Sequence, residues 1–191
     1  LAGGFRTTVD RFCFPPSSQI EAMARWMNER VSPGDFVIAE PAFSWMLRCG
    51  SAPLVQVAAR DGYGSDFFPA GIPESKFALD CRAESASYLI IEEYSRGWTF
   101  SQNGVLETLY KIAGENGWSV VKTEGPYQVL ANPAKVPTAP KSPPNPDLGY
   151  QLGESFFKSG QKERALRLWN RVLKLHPSHG PTLRALSGVG L

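Results

Sequence analysis

Two short apolar runs in this 191-residue chain end on carboxylates. Residues 35–39 (DFVIA) are followed by Glu40, and residues 87–91 (SYLII) by Glu92, Glu93 and Tyr94. In an open α/β sheet, ligands settle beyond the carboxyl ends of parallel strands, so Glu40, Glu92 and Glu93 are the candidate ligand-binding residues. Paired carboxylates do acid–base work when burial raises one carboxyl pKa. Consecutive residues after a strand point apart, however, and a solvated sheet edge is the plainer reading.

Other reactive chemistry has little to draw on. Both histidines, His176 and His179, lie near the C-terminus, so the first 175 residues hold no imidazole to activate a nucleophile or ligate a metal. Cys13, Cys49 and Cys81 are too few and too far apart for a disulfide scaffold or a zinc knuckle. Cys49 and Cys81 could bridge in an oxidising compartment or serve as two small buried apolar residues. Gly62-Tyr63-Gly64 lacks the third glycine and the following helix of a dinucleotide cradle. No catalytic residue, metal or cofactor is assigned.

Two surfaces invite partners instead. The loop at residues 60–73 (RDGYGSDFFPAGIP) carries Tyr63, Phe67 and Phe68, which is apolar for an idle loop. It either folds back over the domain's own core or docks on another domain or a membrane face. Arg164, Arg167, Arg171 and Lys174 recur three, four and three residues apart and form one basic stripe on a helix. That stripe is either a solvated face or a seat for anionic lipid headgroups or an acidic partner. Nucleic acid is not expected, because no reading motif accompanies it.

The elements that must position these residues follow from pattern and punctuation. With 42% hydrophobic and 20% charged residues the composition is that of a globular chain, and no window approaches the ~18–20 apolar residues of a membrane helix. The chain begins at Leu1 without an initiator Met, as a piece whose upstream part is missing would. Six prolines in residues 132–146 mark a semi-rigid linker. Charge divides there too, with 11 basic against 15 acidic residues before position 133 and 9 against 3 after it. The expected divisions are an N-terminal segment (1–16), an α/β domain (17–132), the linker (133–146) and a helix pair with a capping helix (147–191).

Within the α/β domain the spacing predicts helices over 17–31, 42–49 and 103–116 and strands over 35–39, 54–58, 87–91 and 118–122. Gly125-Pro126 turns the chain into a partner strand at 127–130. Short apolar strands separated by helices suggest a small Rossmann-like, three-layer domain with a mostly parallel sheet and a terminal hairpin.

Beyond the linker, Leu152-Gly153, Phe156, Gly160, Ala165, Trp169 and Pro177 resemble the small, large and terminating positions of a tetratricopeptide repeat. Gly153 and Ala165 would let two helices approach, Phe156 and Trp169 would fill the space, and Gly160 would allow the turn. One repeat with a cap at 181–187 is too little to stand alone and should pack on the α/β domain or on a partner.

The order of segments over residues 17–133 resembles the soluble C-terminal region of multi-pass membrane glycosyltransferases that use polyprenyl-phosphate sugars, such as protein mannosyltransferases and aminoarabinose transferases. The matching residues are Pro33-Gly34-Asp35, Asp80, Tyr88, Trp118, Gly125-Pro126-Tyr127 and Asn132-Pro133. The resemblance implies an accessory domain on the extracytoplasmic face of the membrane, joined to a transmembrane portion that carries the catalytic carboxylates. The repeat-like tail would make protein contacts. The rival expectation is a non-enzymatic adaptor built around the repeat helices, and a third is a small enzyme using Glu40 and Glu92.

Overall fold

The computed structural model describes residues 17–64, 68–69, 71–92, 103–139 and 145–189. The expected N-terminal segment, Phe67, Glu93 and residues 140–144 of the proline-rich stretch lie outside them. The fold is α/β, with a five-stranded mixed sheet and, among the described residues, seven α-helices. In chain order these are α1 (Ser17–Asn28), β1 (Phe36–Ile38), α2 (Pro41–Ser44), β2 (Gly50–Ala52), α3 (Leu54–Arg60), β3 (Tyr88–Glu92) and α4 (Asn103–Leu109). After α4 come a π-helical turn (Tyr110–Glu115), β4 (Ser119–Glu124), β5 (Tyr127–Ala131), α5 (Pro146–Lys158), α6 (Lys162–Leu175) and α7 (Gly180–Gly188). No helix of the described residues is long and apolar enough to cross a membrane.

Strand order is β2-β1-β3-β5-β4. β1 is parallel to both β2 and β3, whereas β5 runs antiparallel to β3 and β4. The sheet is therefore half parallel, not mostly so. The reason is the two-residue turn at Gly125-Pro126, with Gly125 at a φ of 56°. So tight a link joins β4 and β5 antiparallel, and β5 pairs antiparallel with β3 along its other edge.

Alternation along the strands feeds two cores. Phe36, Ile38, Leu89 and Leu130 face Leu54, Val57 and Ala58 of α3 and Val105 and Leu109 of α4. Val37, Tyr88, Ile90, Val129 and Ala131 face Ile20, Met23, Ala24 and Met27 of α1 and Phe43 of α2. Cys81 is buried in the first core and Cys49 packs against the second, and both are free thiols. The bridge between them does not form, because the sheet separates them.

Several boundaries differ from the sequence expectation. The run at 54–58 is helix, not strand: Leu54, Val57 and Ala58 are spaced for one helical face, and Pro53 caps the helix. The second strand is instead the weakly strand-forming Gly50–Ala52, held by its ladder with β1. The helix expected over 42–49 shrinks to a single turn that begins on Pro41, where proline is favoured. The start of the linker is not free, since Val136 and Ala139 pack on the α1 side of the sheet. Its last proline, Pro146, opens α5 behind the Asn145 cap, whose Oδ1 accepts from the Asp147 N–H at 3.0 Å.

The C-terminal helices form a third core on the outer side of α4. Leu152 and Phe156 of α5 meet Ala165, Trp169 and Val172 of α6, and Tyr110 of the π turn is buried among them. The Tyr110 ring occupies space left by two glycines. A Cβ on Gly114 would lie 2.6 Å from its Cε2, and one on Gly149 would lie 2.5 Å from Cε2 as well as from Val172. Of the two expected supports for the helix pair, the α/β domain or a partner, the structure shows contact with the first, through this ring.

Candidate functional site

Glu40 caps α2 directly after β1, and Glu92 ends the neighbouring parallel strand β3. The topology thus brings these two carboxylates to one end of the sheet, as the strand-end rule requires. Burial pushes the Glu40 carboxyl above its usual range, and the nearby Glu92 charge pushes it further. Burial also raises Glu92, opposed by the Tyr127 hydroxyl, which stands 3.5 Å from its Oε1 across the β3–β5 ladder. The pair holds a proton more tightly than free carboxyls and could donate or accept one. Among the described residues no group of three His, Cys, Asp or Glu converges as a metal site would need.

The larger concavity lies elsewhere, between the α4–π segment and α6. It encloses about 780 Å³ and exceeds the other described cavities, which reach about 460 Å³. Its apolar floor is Tyr110, Leu152, Phe156 and Leu168, and its walls carry Tyr63, Glu107, Lys111, Glu115, Arg164, Arg167 and Arg171. Tyr63, Arg164, Arg167 and Arg171, which the sequence places on two separate docking surfaces, therefore line one crevice. Lys174 is exposed and is not part of that lining, and Phe68 is half-buried.

Two of the stripe's arginines reach carboxylates of the α/β unit. Arg164 pairs with Glu107 and stacks over the Phe156 ring at 4.2 Å. Arg171 holds Glu115 through both oxygens, at 2.7 Å and 2.5 Å. Of the stripe, Arg164 and Arg171 pair with carboxylates of the α/β unit, and Arg167 and Lys174 do not. Lys111 is paired with the buried Asp61 at 3.2 Å. Arg167 makes no ion pair among the described residues.

Burial dominates the electrostatics of these walls. It raises the Glu107 carboxyl against the opposing charges of Arg164 and Arg167, and the Glu115 carboxyl against Arg171 and Lys111. Glu107 Oε2 is buried without a hydrogen-bond partner among the described residues. Burial, reinforced by the Glu115 charge, pushes the Tyr110 phenol up to about 12. Tyr63 is raised by burial and then by Glu107 and Asp61.

Sequence reasoning missed Glu107, Tyr110, Lys111 and Glu115. Their helix was read only for its inward residues, and the π turn that rotates Tyr110 outward has no simple residue signature. A hint was present in Gly114 and Gly149, two helical glycines with no turn to make. The sequence assigns the histidines no role beyond their place near the C-terminus. His179 Nε2 lies 3.0 Å from Asp147 Oδ1, and its Nδ1 lies 2.7 Å from the Thr182 hydroxyl. Thr182 is fully buried, so this carboxylate–imidazole–hydroxyl chain ties α7 to the start of α5 and offers no nucleophile to a substrate.

No protein-family model matches the chain, and no curated protein or solved structure matches it.

Proposed function

We propose that this chain is the extracytoplasmic accessory part of a membrane glycosyltransferase that draws sugar from a polyprenyl-phosphate carrier. On this reading the transmembrane portion of the same polypeptide supplies the reactive carboxylates. The α/β unit is a Rossmann-like platform over the membrane, and the tetratricopeptide-like hairpin serves protein contacts. The supporting observation is the use made of the residues that carry the resemblance. Asp35 accepts from the Ser32 N–H at 2.6 Å and the Ser87 hydroxyl at 3.1 Å, while Asn132 donates to the Ala86 carbonyl at 2.8 Å. They fasten one end of β1, β3 and β5, and Gly125 turns the hairpin at the other. A platform that must hold its shape beside a separate catalytic portion needs such fasteners more than reactive groups.

The repeat-like reading is supported by the close approach of Gly153 to Trp169 and by Gly160 at a φ of 80° between α5 and α6. The adaptor reading has less support, because Tyr110 of the α/β unit occupies a face that an adaptor would offer to its partner.

The test is to read the gene upstream of Leu1 and to assay the encoded protein in membranes. Several apolar spans, sugar transfer from a polyprenyl-phosphate donor, and loss of transfer when residues 17–189 are removed would support the proposal. Turnover by the isolated chain, or an upstream reading frame without membrane spans, would overturn it.

A further inference from the structure

The crevice between α4, the π turn and α6 has the size and lining of a small-molecule site, since such sites run from about 300 to 1,000 Å³ with an apolar floor and a few convergent polar groups. Its charge balance selects the ligand. Glu107 is matched by Arg164, Glu115 by Arg171, and Lys111 by Asp61. Arg167 is left as a cation without an ion pair among the described residues, and Asn170 stands three positions along the same helix as a neutral donor. A cation would meet a surplus guanidinium and two carboxylates that each already hold an arginine, with Glu107 Oε2 buried rather than presented to the crevice mouth. A wholly apolar ligand would leave Arg167 facing it unpaired.

We infer that this crevice binds a small molecule with one anionic group, a carboxylate or a phosphate, on an aromatic or apolar body. Arg167 and Asn170 receive the anion, and the half-buried Tyr63 and Leu168 receive the body. The inference does not rest on the glycosyltransferase reading. Because the crevice walls come from both the α/β unit and α6, a bound ligand bridges them and raises the melting temperature.

The experiment titrates the full 191-residue chain with phenyl phosphate and benzoate, followed by amide chemical shifts and thermal melting. Inorganic phosphate supplies the anion alone, and benzyl alcohol the body alone. Phenyl phosphate, benzoate or both should shift the resonances of Tyr63, Arg167 and Asn170 and raise the melting temperature, and the better of the two identifies the anion. Each control should bind at least about tenfold more weakly, the loss expected for one charge-assisted hydrogen bond or for the buried body. Arg167→Gln should weaken binding by about tenfold without lowering the unliganded melting temperature, since Arg167 is exposed and makes no ion pair. Asn170→Ala should weaken it less. Three outcomes would each overturn the inference: no crevice shifts at millimolar probe, unchanged affinity in Arg167→Gln, or association only with phosphatidylglycerol vesicles.

Discussion

Gly153 of α5 lies directly against the Trp169 indole of α6: a Cβ placed there would stand 2.5 Å from Cδ1 and closer still to Nε1. The indole N–H donates to the Tyr150 carbonyl at 3.2 Å, so the ring is held and cannot swing away freely. Gly153→Ala is therefore an overpacking substitution and should cost about 1–3 kcal/mol. Gly188, with nothing within 4 Å of its absent Cβ, is the control, and its replacement by alanine should be near neutral. Urea midpoints at constant slope distinguish the two.

The Tyr110 phenol, raised by burial to about 12, makes the α4–α6 junction alkali-sensitive. In the unfolded chain this group loses its proton near pH 10, while the folded chain retains it. The folded state then binds more protons, so stability falls as pH rises through that window. Below about pH 10 the contribution is fully present, and it is gone above about pH 12. Absorbance titration of Tyr110→Phe should lose the component that titrates near pH 12, together with a flatter alkaline stability curve.

At the fastened end of the sheet, Asn132 is buried and satisfies two backbone groups: its amide donates to the Ala86 carbonyl, and its Oδ1 accepts from the Ala134 N–H at 3.0 Å. Asn132→Ala should cost about 1–3 kcal/mol, the penalty of leaving buried polar groups without partners. Hydrogen exchange should quicken first at the β3–β5 ladder beside it.

Glu40 shares the pH sign of Tyr110, in the acid range. Its carboxyl is raised by burial and by Glu92, so its charge is unfavourable in the folded state. Stability on its account is greatest at acid pH and falls as pH rises from the unfolded carboxyl value of 4.5 through the raised folded value. Glu40→Gln should therefore stabilise the protein at neutral pH and change nothing near pH 3. Equal effects at both pH values would show that packing, not charge, governs the site.

Much of this architecture was legible before any coordinates. Residues 87–91 and 127–130 are apolar runs bounded by turn residues, and they lie within one position of β3 and β5. Helices α5 and α6 were visible in the spacing of Gly153, Phe156, Ala165 and Trp169, because close helix approach admits few residue types at those places. Residues 54–58 were misread because a short apolar run with two valines satisfies both periods. Strand β2 was invisible because Gly-Ser-Ala has no strand preference of its own. Glu40 and Glu92 could be paired in advance, since strand ends meet by topology alone. The crevice could not.

What the sequence by itself determined is local: where the chain must turn, which faces are apolar, and which short runs suit a sheet. Those properties are written in side-chain shape, backbone freedom and spacing between near neighbours. Tertiary structure decided the antiparallel place of β5, the pairing of Arg164 and Arg171 with Glu107 and Glu115, and the seating of Tyr110 between Gly114 and Gly149. Each depends on which distant surface arrives opposite a residue. An arginine on a basic stripe is solvated or paired according to whether a carboxylate some 56 residues away is brought within reach, and spacing along one helix carries no record of that.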